Sequence, residues 1–320
     1  MIVCLCSGQG TQRPDMFGLT GNCVAASPVF RAATDALGCD PRDFVRSASD
    51  QALHANRAAQ ILCVTQALAA YLLLEEDLSP PFLTIGYSVG EVAACGISGL
   101  LSVEDTLRLV RARAELMNQA SSPGDGLAAV RALQRDRVES LAQQAKVEIA
   151  IINPDNVIIV GGAGDRLRAF CRAAQEAGAS YARMLPIAVA SHTSKMAAAA
   201  AQLCEVVKGY PPARVPPGIL LLNGIEGLVV SDTATAASEL SRQMTATLHW
   251  AECLHAAVER GGRVFLELGP GRALTDMVRR IGPELPARSI EDFSSEGGLR
   301  TWIRRHRGEA SGISHNLTGE

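Results

Sequence analysis

Apolar positions fall into short continuous runs and longer stretches of helical spacing, in an order that reads as strand, helix, strand. Residues 2–6 (Ile-Val-Cys-Leu-Cys) form a run that gives way to Ser7-Gly8-Gln9-Gly10-Thr11-Gln12, the pattern of a buried strand ending in a glycine-containing loop. Ser27-Pro28 opens a predicted helix that ends at Leu37. The next predicted helix covers 58–76, where Ile61, Leu62, Thr65, Leu68, Ala69 and Leu72 recur at helical spacing. It leads through Ser79-Pro80-Pro81 into a second apolar strand at Phe82, Leu83 and Ile85, and then into a helical segment at 91–94. Ser102 with Asp105 three residues on is a capping-box start for a helix that runs to about Met117.

After the Ser- and Gly-rich break at 121–126 the order changes. Strands at 127–133, 147–152, 157–160 and 181–189 and helices at 135–145 and 165–177 give the order βαββαβ, the split unit of a ferredoxin-like subdomain. The earlier pattern then resumes, with helices at 195–207, 234–246 and 250–259 and strands at 219–223 and 264–268, closing on Gly269-Pro270-Gly271. The expected fold is α/β. Residues 1–126 and 190–303 form a larger domain with a parallel sheet, 127–189 form an inserted ferredoxin-like unit, and the polar tail 304–320 is expected to be disordered.

With 320 residues, 48% of them hydrophobic and 20% charged, the chain can bury a sizeable core. A formal net charge of -3 gives no electrostatic reason to expect nucleic acid or an anionic membrane as partner. Ser7, Gln9, Gln12 and Arg13 interrupt the first apolar segment too early for a signal peptide, and no long apolar stretch reads as a membrane span, so a cytosolic location is expected. The nine cysteines form no CxxC pair and there is no histidine cluster at metal spacing, so they read as reduced core thiols, with neither disulfide nor metal expected.

Against that background the pentad Gly86-Tyr87-Ser88-Val89-Gly90, between a strand and a helix, is the most informative stretch. A strand that turns sharply into a helix holds its turn residue in a strained conformation, and glycines on either side let the elements approach. Ser88 would stand clear as a nucleophile, with the N–H of Val89 free for an oxyanion. His192, alone among the six histidines, lies at a predicted strand end on a loop and is the best candidate base. Arg113 falls on the apolar arc of its helix, between Leu109 and Leu116 on one side and Val110 and Met117 on the other. An inward arginine needs an anion, either an internal Asp or Glu or the carboxylate of a ligand.

Taken together, Gly8-Gln9-Gly10, Gly86-Tyr87-Ser88-Val89-Gly90-Glu91, Arg113, Ser191-His192, Gln243 and Glu267-Leu268-Gly269-Pro270-Gly271 resemble the malonyl-CoA:acyl carrier protein transacylase family over about residues 1–300. The resemblance implies a hydrolase-like α/β domain carrying the ferredoxin-like insertion. It implies Ser88 as nucleophile, His192 as base, the N–H groups of Gln9 and Val89 as oxyanion hole, Arg113 as the malonyl carboxylate site, and Gln243 as source of a carbonyl that orients His192. Malonyl-CoA and an acyl carrier protein are the implied partners, with no metal or bound cofactor. Cys6-Ser7 and Tyr87 stand where the family commonly has Phe-Pro and a histidine. That departure looks closest to the epsilon subunit of malonate decarboxylase, which would make the acceptor that enzyme's carrier subunit and other decarboxylase subunits neighbours. The alternatives are a malonyl transacylase of fatty-acid or polyketide synthesis and, more distantly, a serine esterase or thioesterase. Against an esterase, the chain has no HGGG-type loop.

Overall fold

In the computed structural model, which describes residues 1–312, the first apolar run is β1 (Ile2–Cys6). It is followed by α1 (Ser27–Leu37), α2 (Pro41–Ser47), α3 (Asp50–Leu53) and α4 (Asn56–Leu74). Next, β2 (Phe82–Gly86) turns into α5 (Gly90–Ile97), and α6 (Val103–Ala120) precedes a second unit. That unit is β3 (Asp125–Arg131), α7 (Arg135–Ala145), β4 (Glu148–Asn153), β5 (Val157–Ala163), α8 (Gly164–Glu176) and β6 (Tyr181–Met184). The chain returns through α9 (Ala197–Lys208), β7 (Ile219–Leu222), α10 (Thr233–Gln243), β8 (Leu248–His249), α11 (Trp250–Glu259), β9 (Val264–Glu267), α12 (Ala273–Ile281), β10 (Ala287–Ser289) and α13 (Glu296–Gly312).

The fold is mixed α/β with two sheets. In the first, all strands are parallel in the order β10-β9-β1-β2-β7. Every residue of β1 and β2 is buried, which is why both read as continuous apolar runs rather than alternating ones. Their side chains still divide by face. Ile2, Cys4, Cys6 and Phe82 pack with the helical layer that includes α4, while Val3, Leu5, Leu83 and Ile85 point to the other face.

The second sheet has the order β6-β3-β5-β4-β8, with β8 contributed from outside the inserted segment and paired parallel to β4. On β3, Leu127 and Ala129 pack with Val3, Leu5, Leu83 and Ile85 of the first sheet, while Ala128 and Val130 join a separate core with Val138, Leu141 and Phe170. The insertion is therefore built as a layer whose own helices cover one face and whose other face completes the larger core.

Several elements depart from the sequence reading. Helices α2, α3 and α12 and strands β8 and β10 had no counterpart in it, and β6 stops at Met184 rather than continuing to 189. By length and composition α4 is apolar enough to cross a bilayer, which the sequence reading did not anticipate; here it is buried, packed by α1, α5 and α6. The expected disordered tail is corrected over its first part: 304–312 continue α13, while 313–320 lie outside the described residues. The helix holds because Leu299 and Ile303 enter the core while Arg300 and Arg304 both pair with Asp77, a carboxylate shielded from solvent at the end of α4. Their polarity made this segment look like a tail.

The crossing of β1, β2 and α5 permits no side chain on either flanking glycine. A Cβ on Gly86 would lie 2.0 Å from the carbonyl carbon of Gly90, and one on Gly90 would lie 2.0 Å from the carbonyl oxygen of Cys6. Gly86→Ala or Gly90→Ala is accordingly expected to destabilise the protein by about 3 kcal/mol or more, since backbone rather than a flexible side chain must move. Gly297→Ala, in α13 with nothing within 4 Å of the added Cβ, is expected instead to be neutral or stabilising by about 0.5–1 kcal/mol. Denaturant melts of the three variants check the contrast.

Candidate active site

The close crossing determines the conformation of the turn. Ser88 sits between β2 and α5 with φ of +55°, a left-handed backbone that a serine adopts only when its surroundings enforce it. Its hydroxyl donates to Nε2 of His192 at 2.8 Å. His192 also has positive φ, +60°, and its backbone N–H is held by the carbonyl of Met244 at 2.9 Å. Its Nδ1 lies 2.6 Å from the main-chain carbonyl of Gln243. A carbonyl only accepts, so Nδ1 carries the hydrogen and Nε2 presents a lone pair to Ser88.

This arrangement has the form of a nucleophile, a base and an orienting group. The orienter is a backbone carbonyl, so it carries no charge that would raise the basicity of the imidazole. His192 is held well below the ordinary histidine range, at about 3, first by burial and then by the positive charge of Arg113, with the Gln243 carbonyl acting in the opposite direction.

The oxyanion candidates are set by strand register. Cys6 pairs with Gly86 across the parallel β1–β2 ladder, and Gln9 and Val89 each lie three residues beyond those ends. Among the described residues no acceptor is found for the N–H of Gln9 or of Val89. The Gln9 loop is pinned on every side. Ser7 Oγ donates to Glu267 at 2.8 Å, Thr11 Oγ1 donates to the Pro270 carbonyl at 2.7 Å, and the Gly10 N–H donates to Gln12 Oε1 at 2.5 Å. Glu267, fully buried, also accepts from the N–H groups of Leu274 and Thr275 in the first turn of α12. Tyr87 fills the space beneath: a Cβ on Gly8 would lie 2.9 Å from its ring, which meets Trp250 edge-on at 5.1 Å between centroids.

Arg113, on α6, is 1% exposed, as the helix periodicity predicted. Its hydrogen bonds do not go to an internal Asp or Glu, the first of the two partners that the sequence left open. Nη1 donates to Gln60 Oε1 at 2.6 Å, Nη2 donates to Gln243 Oε1 at 3.2 Å, and Nε has no partner among the described residues. Two neutral amides solvate the guanidinium without cancelling its charge, and burial lowers its pKa only to about 10, so it stays charged at neutral pH.

Gln243 therefore has two tasks. Its main-chain carbonyl orients His192, as the resemblance implied in outline. Its side chain, unforeseen, spans the site: Nε2 donates to the Ser88 carbonyl at 3.1 Å and to Glu91, and Oε1 accepts from Arg113. Glu91, 1% exposed, also accepts from the Gly224 N–H at 2.8 Å, and burial pushes its carboxyl up to about 7. Gln60, Glu91 and Glu267 are the site residues that sequence reasoning did not assign. One signal was present in the case of Gln60, which is, with Asn56, Thr65 and Gln66, one of the buried polar residues of the largely apolar α4.

Ser88 and Gln9 are partly exposed whereas His192 and Arg113 are buried. A separate cavity of about 470 Å³ lies between the second sheet and α12, lined by residues including Arg131, Asn153, Tyr181 and Arg280; Ser88, His192 and Arg113 do not line it.

Residues 3–318 match the family described as acyl transferase domain. The chain is 29% identical over 310 residues to a malonyl CoA-acyl carrier protein transacylase of Haemophilus influenzae, covering 92% of this chain and 97% of that protein. It is 31% identical over 285 residues to the polyketide biosynthesis protein ThaF of Burkholderia thailandensis, where the match takes in 87% of this chain and 24% of that longer protein. The crystal structure of an acyl-carrier-protein S-malonyltransferase from Burkholderia pseudomallei superposes with a TM-score of 0.86 at 28% identity, covering 94% of this chain and 99% of the other.

The state of His192 generates a prediction in two parts. His192→Ala is expected to slow acylation of the enzyme by a factor of about 10² to 10⁴. The histidine is neutral in the folded protein down to about pH 3, while in the unfolded chain it takes up a proton near its ordinary value. The unfolded state binds more protons in that window, so folding stability falls as pH drops from about 6.5 toward 3. His192→Gln is expected to lose less stability over that range than the parent protein, measured by urea melts at successive pH values.

Proposed function

The chain belongs to the acyl transferase domain family and is an acyltransferase, and on that premise we propose that it moves a malonyl group from malonyl-CoA to the phosphopantetheine-type thiol of an acyl carrier protein. The observation that carries the acyl group's identity is Arg113: a buried guanidinium, charged, solvated by amides alone and linked through Gln243 to the nucleophile's own carbonyl. Such a group is placed to take a free carboxylate, which malonyl has and acetyl lacks.

The steps follow from the geometry. His192 Nε2 takes the Ser88 proton as Oγ attacks the thioester carbonyl, and the N–H groups of Gln9 and Val89 receive the oxyanion. The C–S bond breaks, His192 returns the proton to the departing CoA sulfur, and a malonyl ester remains on Ser88. The carrier thiol then gives its proton to His192 and attacks the ester carbonyl; the bond from that carbon to Ser88 Oγ breaks, His192 returns the proton to Oγ, and the acyl group leaves on the carrier sulfur. No bound cofactor enters. A carboxylate docked on Arg113 also offsets the positive charge that depresses His192, making the base stronger when the right substrate is present.

The transacylase and polyketide names of the relatives support an acceptor in fatty-acid or polyketide synthesis over the malonate decarboxylase carrier suggested by Cys6-Ser7 and Tyr87. We further read the strand order β6-β3-β5-β4 with α7 and α8 as the ferredoxin-like unit, and the parallel sheet turning at Ser88 as hydrolase-like.

Incubation with malonyl-CoA is expected to add a malonyl mass to the Ser88 peptide, and Ser88→Ala is expected to abolish it; an acyl group found on another residue overturns the mechanism. Arg113→Ala is expected to reduce the ratio of kcat/KM for malonyl-CoA over acetyl-CoA by about 10² to 10³, the usual weight of one side of a buried charge pair. A parallel fall for both substrates assigns Arg113 a structural role.

A further inference from the structure

Gln243 is an amide with two donors and one acceptor, and its surroundings permit one orientation. Nε2 faces the Ser88 carbonyl, which cannot donate, and Glu91 Oε2, which already accepts the Gly224 N–H, while Oε1 faces the Arg113 guanidinium, which cannot accept. The reversed amide would set oxygen against oxygen at two contacts and nitrogen against guanidinium at the third. Glu91 is itself held rigidly. It lies in the first turn of α5, immediately beyond Gly90, and its Oε2 accepts the Gly224 N–H at 2.8 Å. A Cβ on Gly224 would lie 2.5 Å from the Gly86 carbonyl oxygen and 3.0 Å from Glu91 Oε2, so the backbone at 224 is pressed onto both strand end and carboxylate.

From this geometry we infer that Glu91 is a positioning residue for acyl-group selection: by accepting from Gln243 Nε2 it fixes that amide with Oε1 toward Arg113, and so fixes the guanidinium where it meets the substrate's carboxylate. The chain of contacts is Glu91 to Gln243 to Arg113, and a second amide, Gln60, completes it. Gln60 Nε2 donates to Asn56 Oδ1 at 2.7 Å, which turns its own oxygen to Arg113. Glu91 thus acts on the far end of the acyl group, whereas His192 is oriented by the main-chain carbonyl of Gln243, which no side-chain change at 91 or 243 removes. What Glu91 supplies is an acceptor; its negative charge is not required and, near Arg113, opposes the draw on a second carboxylate.

The inference rests on the malonyl reading of Arg113, and its test separates the two. Three folded proteins are compared for kcat/KM with malonyl-CoA and acetyl-CoA: the parent, Glu91→Gln and Glu91→Leu. Glu91→Gln keeps an oxygen to accept from Gly224 and Gln243, and is expected to retain the malonyl preference. Glu91→Leu removes the acceptor, and its malonyl-over-acetyl ratio is expected to fall about 10- to 100-fold, the loss of a hydrogen-bond partner in a buried charged network, with acetyl transfer changing much less. Where Glu91→Leu does not fold, Glu91→Asp, which withdraws the acceptor by one methylene, takes its place with a fall in the same direction. Equal declines for both acyl groups, or equal loss in Glu91→Gln and Glu91→Leu, overturn the positioning role. A parent protein with no malonyl preference overturns the malonyl reading itself.

Discussion

The site depends on one contact between backbones. The first turn of α5 lies so close to the ends of β1 and β2 that the carbonyl of Cys6 occupies the space a Cβ on Gly90 would need. Main-chain atoms do not rotate away, so the crossing is rigid, and Ser88 is forced into the left-handed region with its hydroxyl toward the second unit. The same crossing aligns the ends of neighbouring parallel strands, which puts the loops bearing Gln9 and Val89 side by side. The positions of Ser88 and of the Gln9 and Val89 N–H groups thus follow from one packing constraint.

His192 and Arg113 come from elsewhere in the chain, Arg113 from α6 and His192 from the exit of the second unit. His192 lies just after the inserted unit. The segment following it is tied down by Ser194 to Glu148 on β4 at 2.6 Å and by Lys195 to Asp125 on β3 at 3.0 Å. Because Leu127 and Ala129 of β3 share a core with Val3, Leu5, Leu83 and Ile85, the insertion cannot shift without disturbing the sheet that carries Ser88. Burial then sets the electrostatics. Glu91 and Glu267 are both pushed up to about 7 and held by N–H donors, whereas Arg113 meets only amide oxygens. The guanidinium therefore has no direct carboxylate partner among the described residues, and Glu91 acts on it only across the Gln243 amide.

Much of this was legible in the chain itself. The run, pentad, helix order around Ser88 specified the strand-to-helix turn there, because a fully buried parallel strand must be apolar throughout and such a tight turn must be flanked by glycine. Helix periodicity specified that Arg113 points inward, and the βαββαβ order specified the second sheet. Segments whose residues serve long-range partners were not legible. The arginines of α13 look like a solvated tail until Asp77 is beside them, and β8 is too short to announce itself and exists only because β4 offers an edge.

Local pattern by itself determined which residues are chemically equipped, since strand, turn and helix preferences act over a few residues and leave their mark in spacing. The tertiary structure alone decided how those residues are connected: that the carbonyl of Gln243 facing His192 is the main-chain one, that two glutamines rather than an acid hold Arg113, and that the Gln243 side chain joins Glu91, Ser88 and Arg113. Gln60, Glu91, Arg113 and Gln243 come from four separate helices, and the hydrogen bonds among them are set by how those helices pack, which no local periodicity encodes.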